Sequence, residues 1–129
     1  MPIQHDVDHA HKTVLSRVTG QITLEDLRVY FAEVWAQPEY RGYSEIIDWS
    51  GAERVALSVG EMRSLAGAAQ AFYDGSSESR LAIVAPGKQG GKMARLYQTL
   101  RELRGGQAPD MGVFEDLASA RTWLGIPSD

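Results

Sequence analysis

Cysteine is absent from all 129 residues. Disulfides, thiol nucleophiles and thiolate zinc sites are thereby excluded, and nothing points to an oxidising compartment, so the expected location is cytoplasmic. Long hydrophobic runs are missing too, and no stretch approaches the ~20 apolar residues that a membrane-spanning helix needs. The opening Met1-Pro2-Ile3-Gln4-His5-Asp6 has neither the basic start nor the apolar core of a secretory signal. Positive charge is also in short supply. The 13 Lys and Arg against 17 Asp and Glu leave a net charge of -4, which argues against a dedicated nucleic-acid binder. Lys88 to Arg104 is the one locally basic stretch. The spacing supports no Ser-His-Asp arrangement, and no cofactor fingerprint occurs, so the expectation is a protein that is not an enzyme and carries no cofactor.

What is present has a clear rhythm. A hydrophobic fraction of 43% and a charged fraction of 23% place the chain among ordinary globular domains rather than disordered ones. Its length suits a single domain, residues 1–129, that buries roughly two thirds of the surface of the unfolded chain. Ile3 to Val7 and Thr13 to Thr19 read as strands joined by the short polar Asp8 to His11, with Gly20 ending the second. Thr23 followed by Asp26 marks a helix start, and Leu24, Leu27, Phe31, Val34 and Trp35 recur at helical spacing up to Pro38. Ser44 to Trp49 is a strand whose adjacent Ile46 and Ile47 imply cover on both faces. Asp48-Trp49-Ser50-Gly51 then falls at its C-terminal edge, and a loop leads to Ser58.

Ser58 and Glu61 form a Ser-x-x-Glu capping box before a helix striped by Met62, Leu65, Ala69 and Phe72, which Asp74 to Ser77 stops. Leu81 to Val84 is the most apolar strand. A helix follows from about Gly90 to Arg104, with Met93, Leu96, Tyr97, Leu100 and Leu103 on one side and Gly105-Gly106 at its end. Met111 to Phe114 makes a fifth strand, and Leu117, Ala120, Trp123 and Leu124 a fourth helix. Alternation of this kind predicts an α/β domain: a mostly parallel sheet of about five strands, an N-terminal hairpin and four flanking helices.

With Gly20 and Thr23 after the second strand, Ile46-Ile47-Asp48 in the third, Arg80 to Val84 in the fourth, Ala94-Arg95-Leu96-Tyr97, and Val113-Phe114 before Ala120-x-x-Trp123-Leu124, the chain resembles the SpoIIAA-like family of STAS-related domains. The resemblance spans nearly the whole chain and implies a sheet flanked by helices, similar in plan to anti-sigma-factor antagonists and to the CRAL-TRIO lipid-transfer fold. The antagonists carry a regulatory serine in an Asp-Ser-Ser-Gly motif. Placing Gly60 on that glycine puts Val59 at the phosphorylated position, Ser58 at the other serine and Leu57 at the aspartate, so the motif is broken.

Candidate sites follow from position. Asp48, Trp49, Ser50 and Ser58 are the candidate interaction or regulatory surface, at the sheet edge where α/β sites tend to lie. Ser58 is first an N-cap and second a phosphate acceptor. Gly87, Lys88, Gly90, Gly91 and Lys92 form a basic loop able to hold an anion or ligand at a helix start, although Pro86 and Met93 break the phosphate-loop pattern. His5, His9 and His11 are close together, but a solvated hairpin is favoured over a metal site. Trp35 to Tyr43 is an aromatic segment suited to a partner patch or to the entrance of a lipophilic pocket. Arg95, Arg101 and Arg104 are expected to be solvated or paired on the third helix. These readings make the chain a non-enzymatic protein-interaction module with an unidentified protein partner, a homodimer being open. The alternative is a carrier for a small lipophilic ligand, which an apolar cavity with a few inward polar groups would favour.

Overall fold

The computed structural model describes residues 2–70, 79–104 and 110–127, the side chains of residues 70 and 104 excepted. Strands β1 (Ile3–Asp8) and β2 (Thr13–Thr23) form an antiparallel hairpin that pairs Ile3 with Val18 and Val7 with Val14. Its turn is tied by Asp8, whose carboxylate accepts from the His11 amide at 3.1 Å and contacts His11 Nδ1 at 2.7 Å. From there the chain alternates: α1 (Leu24–Tyr30), β3 (Ser44–Ala56), α2 (Val59–Gln70), β4 (Arg80–Val84), α3 (Gly87–Arg104), β5 (Asp110–Phe114) and α4 (Leu117–Leu124). The sheet order is β1-β2-β3-β4-β5, with β2 to β5 parallel.

Strands added in sequence order, each by a right-handed crossover, put their connecting helices on one face. The two buried clusters obey this. Val14, Val18, Ile47, Leu81 and Ile83 point to the face covered by Leu27 of α1, Leu65 of α2 and Ala94 of α3. The alternate residues Ile46, Ala82 and Val84 meet Ala120 of α4 on the other face. Arg80 fixes the end of α4, its guanidinium donating to the Trp123 carbonyl at 2.8 Å and lying 4.8 Å from the indole centre. Gly112 is required on that face: a Cβ there would come within 2.7 Å of the Phe114 ring, which is itself packed 5.3 Å from Trp123.

The predicted capping box at Ser58 forms, and the predicted helix start at Thr23 is a capping box as well. Thr23 Oγ1 accepts from the Asp26 amide while Asp26 accepts from the Thr23 amide, and Ser58 and Glu61 make the same exchange at 3.1 and 3.0 Å. Other expectations give way. Neither Gly20 nor Trp49 ends its strand, because β2 and β3 keep pairing as far as Thr23 and Ala56. Gly20 passes through at φ +69, and β3 carries extra residues where Arg17 pairs with Asp48 but Thr19 with Gly51. The ladder supplies the backbone bonds that a loop would have left to water. Asp48, Trp49 and Ser50 therefore lie inside a strand and not in a turn after it.

The predicted loop Gly87 to Lys92 is helical, since α3 begins at Gly87. Gly90 lies against Ala85, where a Cβ would make an ordinary van der Waals contact at 3.6 Å. The first crossover helix is not uniform either. After Tyr30 it widens into a π-helical turn, Phe31–Trp35, and a short 3-10 turn at Pro38–Tyr40 leads to β3. Phe72, Tyr73, the stop at Asp74 to Ser77 and Gly105-Gly106 lie outside the described residues. Among the described residues no helix is long and apolar enough to cross a membrane.

Candidate ligand cavity

Parallel strands covered by three helices need large side chains to fill the space between the layers, and this chain does not supply them everywhere. Ala85, just after β4, and Ala94 of α3 are small buried residues that line the space. The result is a cavity of about 540 Å³ between the sheet and α1, α2 and α3. That volume falls within the range of small-molecule sites. Ile47, Leu81 and Ile83 form its floor, and Leu27, Phe31, Leu65, Met93 and Tyr97 its roof. Exposed lining residues, Ser50, Glu53, Arg54, Pro86 and Gln89, gather at the C-terminal ends of the strands. Glu45 lines the opposite end, at the start of β3. At ~3.3 Å per residue, Glu45 and Trp49 stand about 13 Å apart along the strand.

Among the described residues, Glu45 is the one ionisable side chain in the lining at that end, and it is held by a network. Alternation along β3 puts it in phase with Ile47 and Trp49, on the helix-covered face. Tyr30, the last residue of α1, donates from its hydroxyl to Glu45 Oε2 at 2.5 Å. Because that proton is spent on Glu45, the fully buried Ser16 of β2 donates to the Tyr30 oxygen. The widened turn after Tyr30 swings Trp35 so that its Nε1 lies 3.2 Å from both the Tyr30 oxygen and Glu45 Oε2. Arg101 of α3, only 8% exposed, adds an opposite charge facing the carboxyl, with its guanidinium 6.0 Å from the Tyr97 ring centre.

The electrostatics follow from burial. Removal from water pushes the Glu45 carboxyl above its ordinary 4.5, against the pull of the Tyr30 and Trp35 hydrogen bonds and the Arg101 charge. Tyr30 is driven well above its usual 10.0, by burial first and then by the neighbouring carboxylate. A carboxylate has about four lone-pair positions, and the described hydrogen bonds occupy only Oε2. The end of an apolar slot thus presents an acceptor whose position is fixed from two sides.

The predicted site residues divide. Trp49 and Ser50 line the cavity near its exposed end, whereas Asp48 does not, and its carboxylate accepts from the Ser50 amide at 2.9 Å within the irregular stretch of β3. Ser58 is exposed and engaged in its capping box. Gly90 lines the cavity, but Gly87, Lys88 and Lys92 are exposed and outside its wall, and Gly91, though buried, does not line it either. Arg101, expected to be solvated or paired, is buried at 8% exposure, and its charge acts on Glu45. His9 Nδ1 meets the Tyr43 hydroxyl at 3.0 Å, and among the described residues no group of three potential ligands is placed to hold a metal.

Glu45, Tyr30 and Ser16 were not singled out by the sequence reading. One signal was there: in a strand covered on both faces, an acid in phase with Ile47 has to be buried, and buried acids need partners. Tyr30 sits three residues after Leu27 and four before Val34, on the core side of its helix.

No family model matches the chain, and no curated protein matches it. Solved structures do. One is an uncharacterised protein from the DUF3478 family with a SpoIIAA-like fold, from Shewanella loihica PV-4, with a TM-score of 0.63 and 16% identity over 95% of this chain and 93% of that one. Another is the anti-sigma factor antagonist SpoIIAA in its unphosphorylated form, with a TM-score of 0.56 and 14% identity over 94% of each chain. At such identities the likeness concerns the fold, and the fold of this chain is SpoIIAA-like.

Proposed function

We propose that this chain is a non-enzymatic binding domain for a small lipophilic molecule, held between the sheet and α1 to α3. The observation that carries the reading is the cavity of about 540 Å³, apolar along its middle and polar at its two ends, with Glu45 at one and Ser50, Glu53, Arg54 and Gln89 at the other. Burying an apolar ligand there would gain roughly 25 cal/mol for each Å² removed from water. Filling the space with leucines would have stabilised the fold at no cost to an interaction surface, so the alanines at positions 85 and 94 make sense if the space is used. The test is native mass spectrometry of the protein purified from its own cells, set beside the denatured sample. A small molecule released on denaturation supports the reading. A ligand-free protein that also fails to enhance the fluorescence of an anilinonaphthalene sulfonate probe overturns it.

A protein partner is the second reading, and the likeness in fold to an anti-sigma factor antagonist supports it. Its surface would be the sheet edge bearing Ser58 and the neighbouring Val59, an apolar side chain left 49% exposed, together with the exposed Lys88 at the start of α3. The two readings combine if a ligand in the cavity changes that edge, since Ser50, Arg54 and Leu57 line the cavity and lead into Ser58.

A further inference from the structure

Resting on the ligand reading above, we infer that the polar cluster at the start of β3 selects a neutral lipophilic alcohol, whose hydroxyl donates to the Glu45 carboxyl while its hydrocarbon lies along Ile47, Leu81 and Ile83. Three features of the geometry lead there. First, Glu45 lines the cavity while Tyr30 and Trp35 reach the same carboxyl oxygen from the α1 side, so the acceptor is pinned in place before any ligand arrives. Second, the Tyr30, Trp35 and Ser16 protons are committed within the cluster, which leaves the carboxyl as the group that addresses the cavity. It asks for a donor. Third, Arg101 already faces Glu45 with the opposite charge, so an added ammonium would place two cations on one carboxylate and an added carboxylate would bring two anions together. A hydroxyl avoids both. The cavity's hydrocarbon lining excludes water from that bond, which raises its value relative to the same contact in solution.

The test compares four ligands of one chain length on the intact wild-type protein by calorimetry at fixed ionic strength: decanol, methyl decyl ether, decanoate and decylammonium. Decanol should bind about tenfold or more tightly than the ether, the difference expected for one hydrogen bond to a charged group. Decanoate and decylammonium should bind more weakly than decanol. Equal binding of alcohol and ether, or tighter binding of either ion, overturns the alcohol assignment and leaves the cavity reading standing. Failure of all four to bind overturns both. Glu45→Met, which keeps the length of the side chain and loses the acceptor, should bring alcohol and ether to the same affinity. Should that variant not fold, Glu45→Gln keeps an acceptor carbonyl, and it should retain the alcohol preference while weakening it severalfold.

Discussion

Tyr30 and Glu45 are joined by a 2.5 Å hydrogen bond that links the last residue of α1 to the second residue of β3, across the layer that the cavity occupies. Tyr30 is buried and Glu45 half-buried, and each displaces the other's titration. The burial of Glu45, which outweighs its pairing with Tyr30, makes the stability of the fold sensitive to pH in a direction opposite to that of most acids in proteins.

Glu45 has a raised value in the folded chain, so the folded state keeps its proton to higher pH than the unfolded state does. Its contribution to stability is full below about 4.5, the unfolded value, and is lost as pH rises through the raised folded value. Thermal unfolding followed from pH 4.5 upward should show a falling midpoint across that window in wild type and a flatter profile in Glu45→Gln. Asp8 and Asp116 act the other way and lower down. Hydrogen bonds from His11 and from Ser119 hold them below 3.8, and their contributions fade as pH drops beneath that value.

Tyr30→Phe removes the oxygen that Ser16, Trp35 and Glu45 share. Ser16 is fully buried, and the loss leaves its hydroxyl without the Tyr30 acceptor, at a cost of about 1–3 kcal/mol by denaturant unfolding. The variant should also move the pH window of the previous prediction upward, because the hydrogen bond it deletes was pulling Glu45 down. A variant as stable as wild type would show that the cluster does not hold the layers together.

Ser58 caps α2 in a reciprocal exchange with Glu61. Ser58→Ala should destabilise the fold by about 1 kcal/mol, and Ser58→Asp should be close to neutral, because a carboxylate caps equally well and suits the helix dipole. Circular dichroism melts of the three proteins would decide. An alanine variant that loses no stability would free Ser58 from its capping role.

Gly112→Ala would put a methyl against the Phe114 ring, and Trp123 blocks the ring's retreat. The expected penalty is about 1–3 kcal/mol, as for overpacking elsewhere in protein cores. Unchanged stability in guanidinium titrations would mean that β5 shifts freely against α4.

The order of elements, the hairpin and both capping boxes were legible because their signals are local: alternation, helical spacing, a Ser or Thr three residues before an acid. The ends of β2 and β3 were not. Whether Trp49 ends a strand depends on whether a partner runs beside it, and the partner here is a stretch of β2 beyond Gly20 that local rules would close. Gly87 to Lys92 read as a loop because glycines weaken helices, yet Gly90 sits where α3 approaches Ala85.

The cavity was the least legible feature. Ala85 and Ala94 look like ordinary small core residues until both are found in one cavity wall, and a void leaves no mark in a hydrophobic pattern. Glu45 was passed over for a related reason. A lone acid in the second position of a strand carries no local signal of its own, and the reach of Tyr30 and Trp35 is what ties the carboxyl to the interior.

Ser16, Tyr30, Trp35 and Glu45 all come from one uninterrupted stretch that runs up β2, through α1 and its widened turn, and into β3. Among the described residues, Arg101 of α3 joins them from elsewhere. Exchange of that single segment between related chains would carry the polar end of the slot together with Leu27, Phe31, Ile47 and Trp49 of its lining, while the lining drawn from β4, α2 and α3 would stay behind.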